Sequence, residues 1–211
     1  MSGIRPVNKD ILIQTQARLD SLTKPVGSLG QLEEIAKKYA AIVEDLHPLI
    51  QKKIIYVFAG DHGVTAEGVS AFPKEVTPQM VFNFLRKGAG INVLAAHAGA
   101  EVVVVDIGVD HNFEPMPGLV IRKVACGTEN MANGPAMTRE QALQAISVGL
   151  EMADDAAARG ADLVGTGDMG IGNTTPSSAI LAALTGMTAS LVTHRGTGID
   201  DAALLKKIAV V

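Results

Sequence analysis

At 211 residues and a formal net charge of −4, the chain is long enough for one sizeable core with a small satellite. Hydrophobic residues at 47% and charged residues at 19% exclude an intrinsically disordered chain, and no Lys/Arg stripe offers the electrostatic footprint of a nucleic-acid binder. Aromatics make up only 3%, with no Trp, so the core has to be built from Ala, Val, Ile, Leu and Met.

Charges scattered through Met1 to Gln16 do not form a targeting signal, and no apolar stretch is long and uninterrupted enough to cross a bilayer. The lone Cys126 cannot close an intrachain disulfide, fits a reducing compartment and reads as a partly buried small residue. A cytoplasmic protein with no membrane contact is expected.

In chain order, Asn8 to Leu22 reads as a first helix, with Ile11, Leu12, Leu19 and Leu22 on one face and Asn8 as its cap. Thr23-Lys24-Pro25 breaks it. A second helix is predicted from Ser28 to Val43, led by Ser28 and Gln31 in the positions of a capping box. Ile54 to Ala59 is a continuous apolar, largely β-branched and aromatic run, the signature of a strand buried on both faces. Glu101 to Val105 and the shorter Asp162 to Val164 repeat the design, and helical patterns run over Thr77 to Lys87, Gly90 to Ala98 and Arg139 to Arg159. Strands alternating with helices predict an α/β fold with a mainly parallel, Rossmann-like sheet flanked by helices. The two leading helices contribute to a small helical subdomain, dividing the chain into a helical segment, 1–48, and a nucleotide-binding-type α/β domain, 49–211.

In parallel sheets, ligands bind at the carboxyl ends of the strands. Three predicted strands end in Gly-plus-Asp segments, at Asp61, Asp106 and Asp168. The richest of these, Gly165 to Thr175, reads as a loop that lets a ligand approach the backbone and whose N–H groups can hold a phosphate. Its Gly165-x-Gly167-x-x-Gly170 spacing fits a dinucleotide fingerprint, but no acidic residue stands about 20 positions on; Asp162 lies too early, Asp200 and Asp201 too late. Glycine-rich strand ends also serve only to turn the chain, and Asp106 equally reads as closing a strand without touching anything.

Longer motifs are more specific. Leu22 to Glu33, Ala59-Gly60-Asp61-His62-Gly63-Val64, Gly68-Val69-Ser70 with Pro73-Lys74-x-Val76-Thr77, Gly134-Pro135-Ala136-Met137, Met169 to Thr175 and Arg195 to Asp200 together closely resemble the nicotinate-nucleotide:dimethylbenzimidazole phosphoribosyltransferase family, from about Leu12 to the last residue. The resemblance implies transfer of the phosphoribosyl group of nicotinate mononucleotide to dimethylbenzimidazole in cobalamin lower-ligand synthesis, and a homodimer. It also implies no cofactor. The leaving pyridinium becomes neutral as its bond breaks, so holding the phosphate, orienting the ribose and taking a proton from the benzimidazole suffice without Mg²⁺.

Carried onto this sequence, the resemblance makes Asp168, which stands where relatives usually have Glu, a carboxylate that orients substrate or assists deprotonation. Lys207 becomes the active-site lysine that meets phosphate or ribose. Gly170, Asn173, Gly196 and Gly198 match loops bordering the nucleotide. Phe72, Gln79, Met80 and Met169 stand near the aromatic base, although Phe72 and Met80 read equally well as core residues. Thr174 and Thr175 either bond a substrate oxygen or cap the helix that Pro176 begins, capping being the commoner use. Lys24 reads either as reaching a ligand or as a solvated surface lysine. His62 invites a metal or acid–base reading, but no second His or Cys stands at ligand spacing, which favours an active-site wall or a structural hydrogen bond.

Family members continue through further strands to a late Gly-Glu-Gly-[ST]-Gly-Ala segment whose glutamate is the family's principal base, and that segment is not in these 211 residues. Two readings follow: the N-terminal portion of such an enzyme, carrying much of the nucleotide and base site without the main base and with a missing C-terminal chain among its candidate partners, or a non-catalytic binding or assembly module on the same fold.

Overall fold

The computed structural model describes residues 5–211, which fall into two compact units, one ending at Gln51 and one spanning Lys52–Val211. In the first, helices α1 (Lys9–Asp20) and α2 (Gln31–Val43) pack on each other. Asn8 caps α1 as expected, its side-chain oxygen accepting the N–H groups of Asp10 and Ile11 at 3.0 and 3.3 Å.

The expected Ser28–Gln31 capping box does not form. Gly27 and Gly30, with φ of 73° and 54°, turn the chain through residues 25–30, and Ser28 is consumed in that turn, its N–H donating to the Pro25 carbonyl. Helix α2 starts only at Gln31 with no side-chain cap. Glu33 does the work from inside the first turn: its buried carboxylate accepts the Leu29 N–H at 3.1 Å and pairs with Lys24 at 2.8 Å. Lys24 is therefore ion-paired within this unit rather than a solvated surface lysine.

The second unit is built on four parallel strands, β1 (Lys53–Gly60), β2 (Ala100–Gly108), β3 (Leu119–Ile121) and β4 (Leu163–Met169), in the order β3-β2-β1-β4. This is the α/β architecture the alternation predicts. On one face, α3 (Val76–Leu85) and the start of α4 (Gly90–Ala98) bring Val81, Phe84 and Ala89 against Val57, Ala59 and Val104. On the other, α5 (Arg139–Ala158) lays Val148, Met152 and Ala156 over Ile54, Tyr56, Val103 and Val105. Burying both faces of β1 and β2 explains their unbroken apolar sequences.

Several local expectations change. The strand expected at Asp162 to Val164 continues to Met169, so Gly165 and Gly167 are strand residues rather than loop. They sit opposite Ile55 and Val57, and a Cβ built on Gly165 would lie 3.2 Å from Ile55 Cγ1; the β-branched side chains of β1 take up the room the glycines leave. Helix α3 stops at Leu85 because Lys87 adopts a left-handed φ of 62°. Asp106, read either as a strand-end site carboxylate or as closing a strand without touching anything, is fully buried inside β2; it accepts the Val109 N–H at 2.9 Å and pairs with Lys123 at 2.9 Å. Cys126, expected to be partly buried, is exposed, because the segment after β3 runs over the surface. The chain closes with α6 (Thr174–Thr185), α7 (Ala189–Val192) and α8 (Asp201–Val210). Among the described residues no helix is long and apolar enough to cross a membrane.

Candidate active site

The carboxyl ends of β1 and β4 meet the start of α6 through the turn Gly170–Asn173. Gly172 takes a φ of 83°, and the N–H groups of Asn173 and Thr175 donate to the carbonyls of Gly170 and Gly172 at 3.0 and 2.9 Å. Ile171 N–H donates to the Oγ1 of Thr77, a fully buried residue of α3, at 3.1 Å. Position 170 has no space for a side chain, since a Cβ there would lie 2.1 Å from the Gly60 carbonyl oxygen and 2.9 Å from Nε2 of His62. Beyond the turn, the first N–H groups of α6 form a helix N-terminus, an intrinsically anion-attracting feature.

A lysine stands behind that terminus. Lys207 of α8 is 1% exposed, and its ammonium donates to Thr174 Oγ1 at 2.6 Å and to the His194 carbonyl at 3.0 Å. Burial holds its pKa below the usual lysine range. Gly196, at φ 59°, abuts the pair: a Cβ there would come 2.7 Å from Thr174 Oγ1 and 3.2 Å from Lys207 Nζ. Neither threonine caps α6 as the commoner reading expected. Asn173 occupies the N-cap position, Thr174 is taken by Lys207, and Thr175 is fully buried. The amide of Asn173 instead donates to the carboxylate of Asp168, tying the strand end to the helix start.

Two cavities share the Met169 and Asn173 wall. One, of about 140 Å³, is bordered by Ser70, Gly170, Gly172, Thr174 and Thr197. The other, of about 590 Å³, has walls from Phe58, Ile107, Met137, Met169 and Ile180, with His62, Thr128, Glu129, Asp168, Asn173 and Ser177 as polar members. A mainly apolar slot with a few polar groups is the usual build of a small-molecule site. A third space, of about 420 Å³, lies across His62 and includes Asp61, Phe72, Lys74 and Asp110. No group of three or more His, Cys, Asp or Glu side chains among the described residues is placed to hold a metal.

The structure thus gathers Asp168, Met169, Gly170, Asn173, Thr174, Gly196 and Lys207 around one helix start. It does not gather the others with them. Phe72 is 53% exposed and borders the third space; Gln79 is exposed on α3; Met80 packs against the core beneath β1 and β2. Gly198, at φ 79°, has open space around it. Sequence reasoning did not single out Thr77, Ser70 or Thr197, whose Oγ1 accepts the Ala71 N–H at 3.0 Å and lies 3.3 Å from Ser70 Oγ. All three stand inside the motifs quoted above, but the only signal there is their place in the motif.

A family model described as Phosphoribosyltransferase matches residues 4–211. The chain belongs to this phosphoribosyltransferase family. Among curated relatives, the nicotinate-nucleotide–dimethylbenzimidazole phosphoribosyltransferase of Geotalea uraniireducens (strain Rf4) is 64% identical over 211 residues, covering 100% of this chain and 60% of that protein. The protein of the same name from Geobacter sulfurreducens is 62% identical with the same coverage. Among solved structures, CobT from Thermus thermophilus superposes with a TM-score of 0.92 at 48% identity, over 95% of this chain and 60% of that one. The chain therefore spans about 60% of the length of the phosphoribosyltransferases it matches.

Proposed function

We propose that the chain carries the nucleotide- and base-binding region of an enzyme that moves the phosphoribosyl group of nicotinate mononucleotide to dimethylbenzimidazole, releasing nicotinate and giving an α-linked ribotide for cobalamin biosynthesis. The observation that carries this reading is a buried lysine ammonium paired with Thr174 at the start of α6, a helix start that Asn173 ties to the Asp168 carboxylate bordering a mainly apolar cavity. The names of the relatives support it.

In this reaction the glycosidic C–N bond breaks with its electron pair passing to the pyridinium nitrogen. A ring nitrogen of the benzimidazole supplies the pair for the new bond, and the proton on its other nitrogen is given up. Lys207, Thr174, Gly196 and the N–H groups of α6 are suited to holding the phosphate. Asp168, restrained by Asn173, orients the ribotide or draws on the departing proton, while Met169 walls the slot for the base. Residues 49–211 hold the whole of this arrangement, and 1–48 form the helical accessory. A cytoplasmic location belongs to the same reading and is supported by the single cysteine.

Calorimetric titration of nicotinate mononucleotide into the purified chain tests the proposal. Saturable heat is expected, weakened in Asp168→Asn at unchanged melting temperature, because the two side chains match in volume and differ in charge. No saturable heat together with no change in melting temperature would refute it.

A second reading, an assembly module that recruits a further copy or segment, is favoured by one feature. Strand β4 is an edge strand with Leu163 and Val164 at 41% and 50% exposure, and Leu143, Ile146 and Leu150 of α5 are exposed as well; uncovered apolar edges invite partners. Light scattering separates the two, since a clean monomer that binds the nucleotide leaves the assembly reading without support.

A further inference from the structure

The buried residues of α3 are Thr77, Val81 and Phe84, the i, i+4, i+7 stripe by which a helix faces a core. Val81 and Phe84 pack in the apolar cluster, while Thr77, at 0% exposure, is the polar member. Valine has nearly the same shape, so packing alone does not call for a hydroxyl here, and a buried hydroxyl costs free energy unless it is bonded. Its partner is the Ile171 N–H, 3.1 Å away and 94 residues on in the chain. Steric contacts flank this bond: a Cβ at Gly170 would meet the Gly60 carbonyl oxygen at 2.1 Å, and one at Gly172 would meet Thr65 Cγ2 at 2.9 Å. Contacts of that kind limit where the turn can lie; a hydrogen bond also fixes how its peptide planes point.

The planes matter because the next N–H groups lead into α6. Those of Asn173 and Thr175 donate to the carbonyls of Gly170 and Gly172. Among the described residues nothing accepts those of Gly172 and Thr174, and both residues border the 140 Å³ cavity. Unpaired N–H groups at a helix start are the donors an anion uses.

We propose that Thr77 is a positioning residue for the phosphate: by holding the Ile171 peptide it aims the Gly172 and Thr174 N–H groups at the anion. Fully buried and outside the wall of the cavity, it acts without touching the ligand. The inference rests on the reading of the α6 start as the phosphate holder.

Calorimetric affinities of nicotinate mononucleotide and of nicotinate riboside, the same molecule without its phosphate, are compared for the wild-type chain, Thr77→Val and Thr77→Ser. The ratio of the two measures what the phosphate adds. It should fall about 2- to 10-fold in Thr77→Val, as for the loss of one neutral hydrogen bond, with the riboside bound as before, and it should return towards the wild-type value in Thr77→Ser, which keeps the oxygen. Reciprocity of coupled equilibria supplies a second readout that needs no variant to fold. In the wild type, exchange of the Ile171 amide hydrogen should be slower by about the same factor when the chain is saturated with the nucleotide than when it is saturated with the riboside. An unchanged ratio in Thr77→Val, equal weakening of both ligands, no recovery in Thr77→Ser, or Ile171 exchange indifferent to the phosphate would each reduce Thr77 to a packing residue and overturn the proposal. A wild type that holds the nucleotide no more tightly than the riboside would instead refute the phosphate reading of the α6 start, and the inference with it.

Discussion

Replacing Lys207 by methionine separates what this lysine does for the fold from what it does for a ligand. Its ammonium makes two hydrogen bonds, at 2.6 and 3.0 Å, and bonds from a charged donor contribute about 1.5–3 kcal/mol each. Against that loss stands the cost of keeping an ion at 1% exposure, which is several kcal/mol in real proteins and shows here as a pKa lowered by burial. Thr174 and His194 are both exposed, so water can take over the bonds the lysine leaves. The terms nearly cancel, and Lys207→Met is expected within about 2 kcal/mol of wild type, a shift under roughly 8 °C for a domain of this size. Lys207→Ala opens a cavity and should cost about 2–5 kcal/mol. The wild type should also gain stability as pH rises towards 10.5, because the unfolded chain binds the Lys207 proton more tightly than the folded one; the Met variant lacks that gain. If Lys207 meets the phosphate as proposed, affinity for nicotinate mononucleotide should fall at least ~30-fold in both variants, the cost of removing one partner of a buried charge pair. Scanning calorimetry and isothermal titration read the two quantities separately. Unchanged affinity in Lys207→Met, or a melting temperature as low as that of Lys207→Ala, would make the lysine a structural tether and refute the reasoning.

Gly170→Ala places a Cβ 2.1 Å from the Gly60 carbonyl oxygen, and backbone cannot yield as a side chain can, so urea unfolding should show a loss at or beyond the upper end of about 1–3 kcal/mol. Gly198→Ala, at φ 79° but in open space, should cost only about 1–2 kcal/mol through its left-handed backbone; equal losses would mean that crowding at position 170 is relieved elsewhere. Tyr56, whose ring is buried in the core on the α5 side, donates to Asp155 at 2.6 Å. With Asp155 43% exposed, Tyr56→Phe is expected to cost about 1–1.5 kcal/mol, the low end for a charge-assisted bond. Desolvation, with the Asp155 bond second, pushes the Tyr56 pKa up to about 12. The phenol's contribution is therefore complete below 10 and lost as pH rises through 12, and alkaline unfolding of the Phe variant should lack that component.

What the sequence could reveal depended on whether the cause of a feature is local. Asn8 caps α1 through atoms two and three residues away, and the β-branched runs of β1 and β2 report their own burial, so these elements are legible. Gly165 and Gly167 are different. Their composition reads as loop, while their conformation is set by Ile55 and Val57 on a strand more than a hundred positions earlier, which no local pattern contains. Ser28 fails for a related reason: the polar spacing of a capping box is present, but two glycines with positive φ spend those residues in a turn. At the candidate site, Lys206 and Lys207 are adjacent and alike in sequence, yet one is exposed and the other buried against Thr174. Only family resemblance told them apart. Resemblance in turn treated Phe72, Met80 and Met169 as one group, whereas Phe72 borders a different cavity from Met169 and Met80 lies in the core. His62 marks the boundary between these two kinds of knowledge: its chemistry was visible in the sequence, but its unpaired ring between two cavities emerges only when β1, β4 and the turn at Gly170 are brought together.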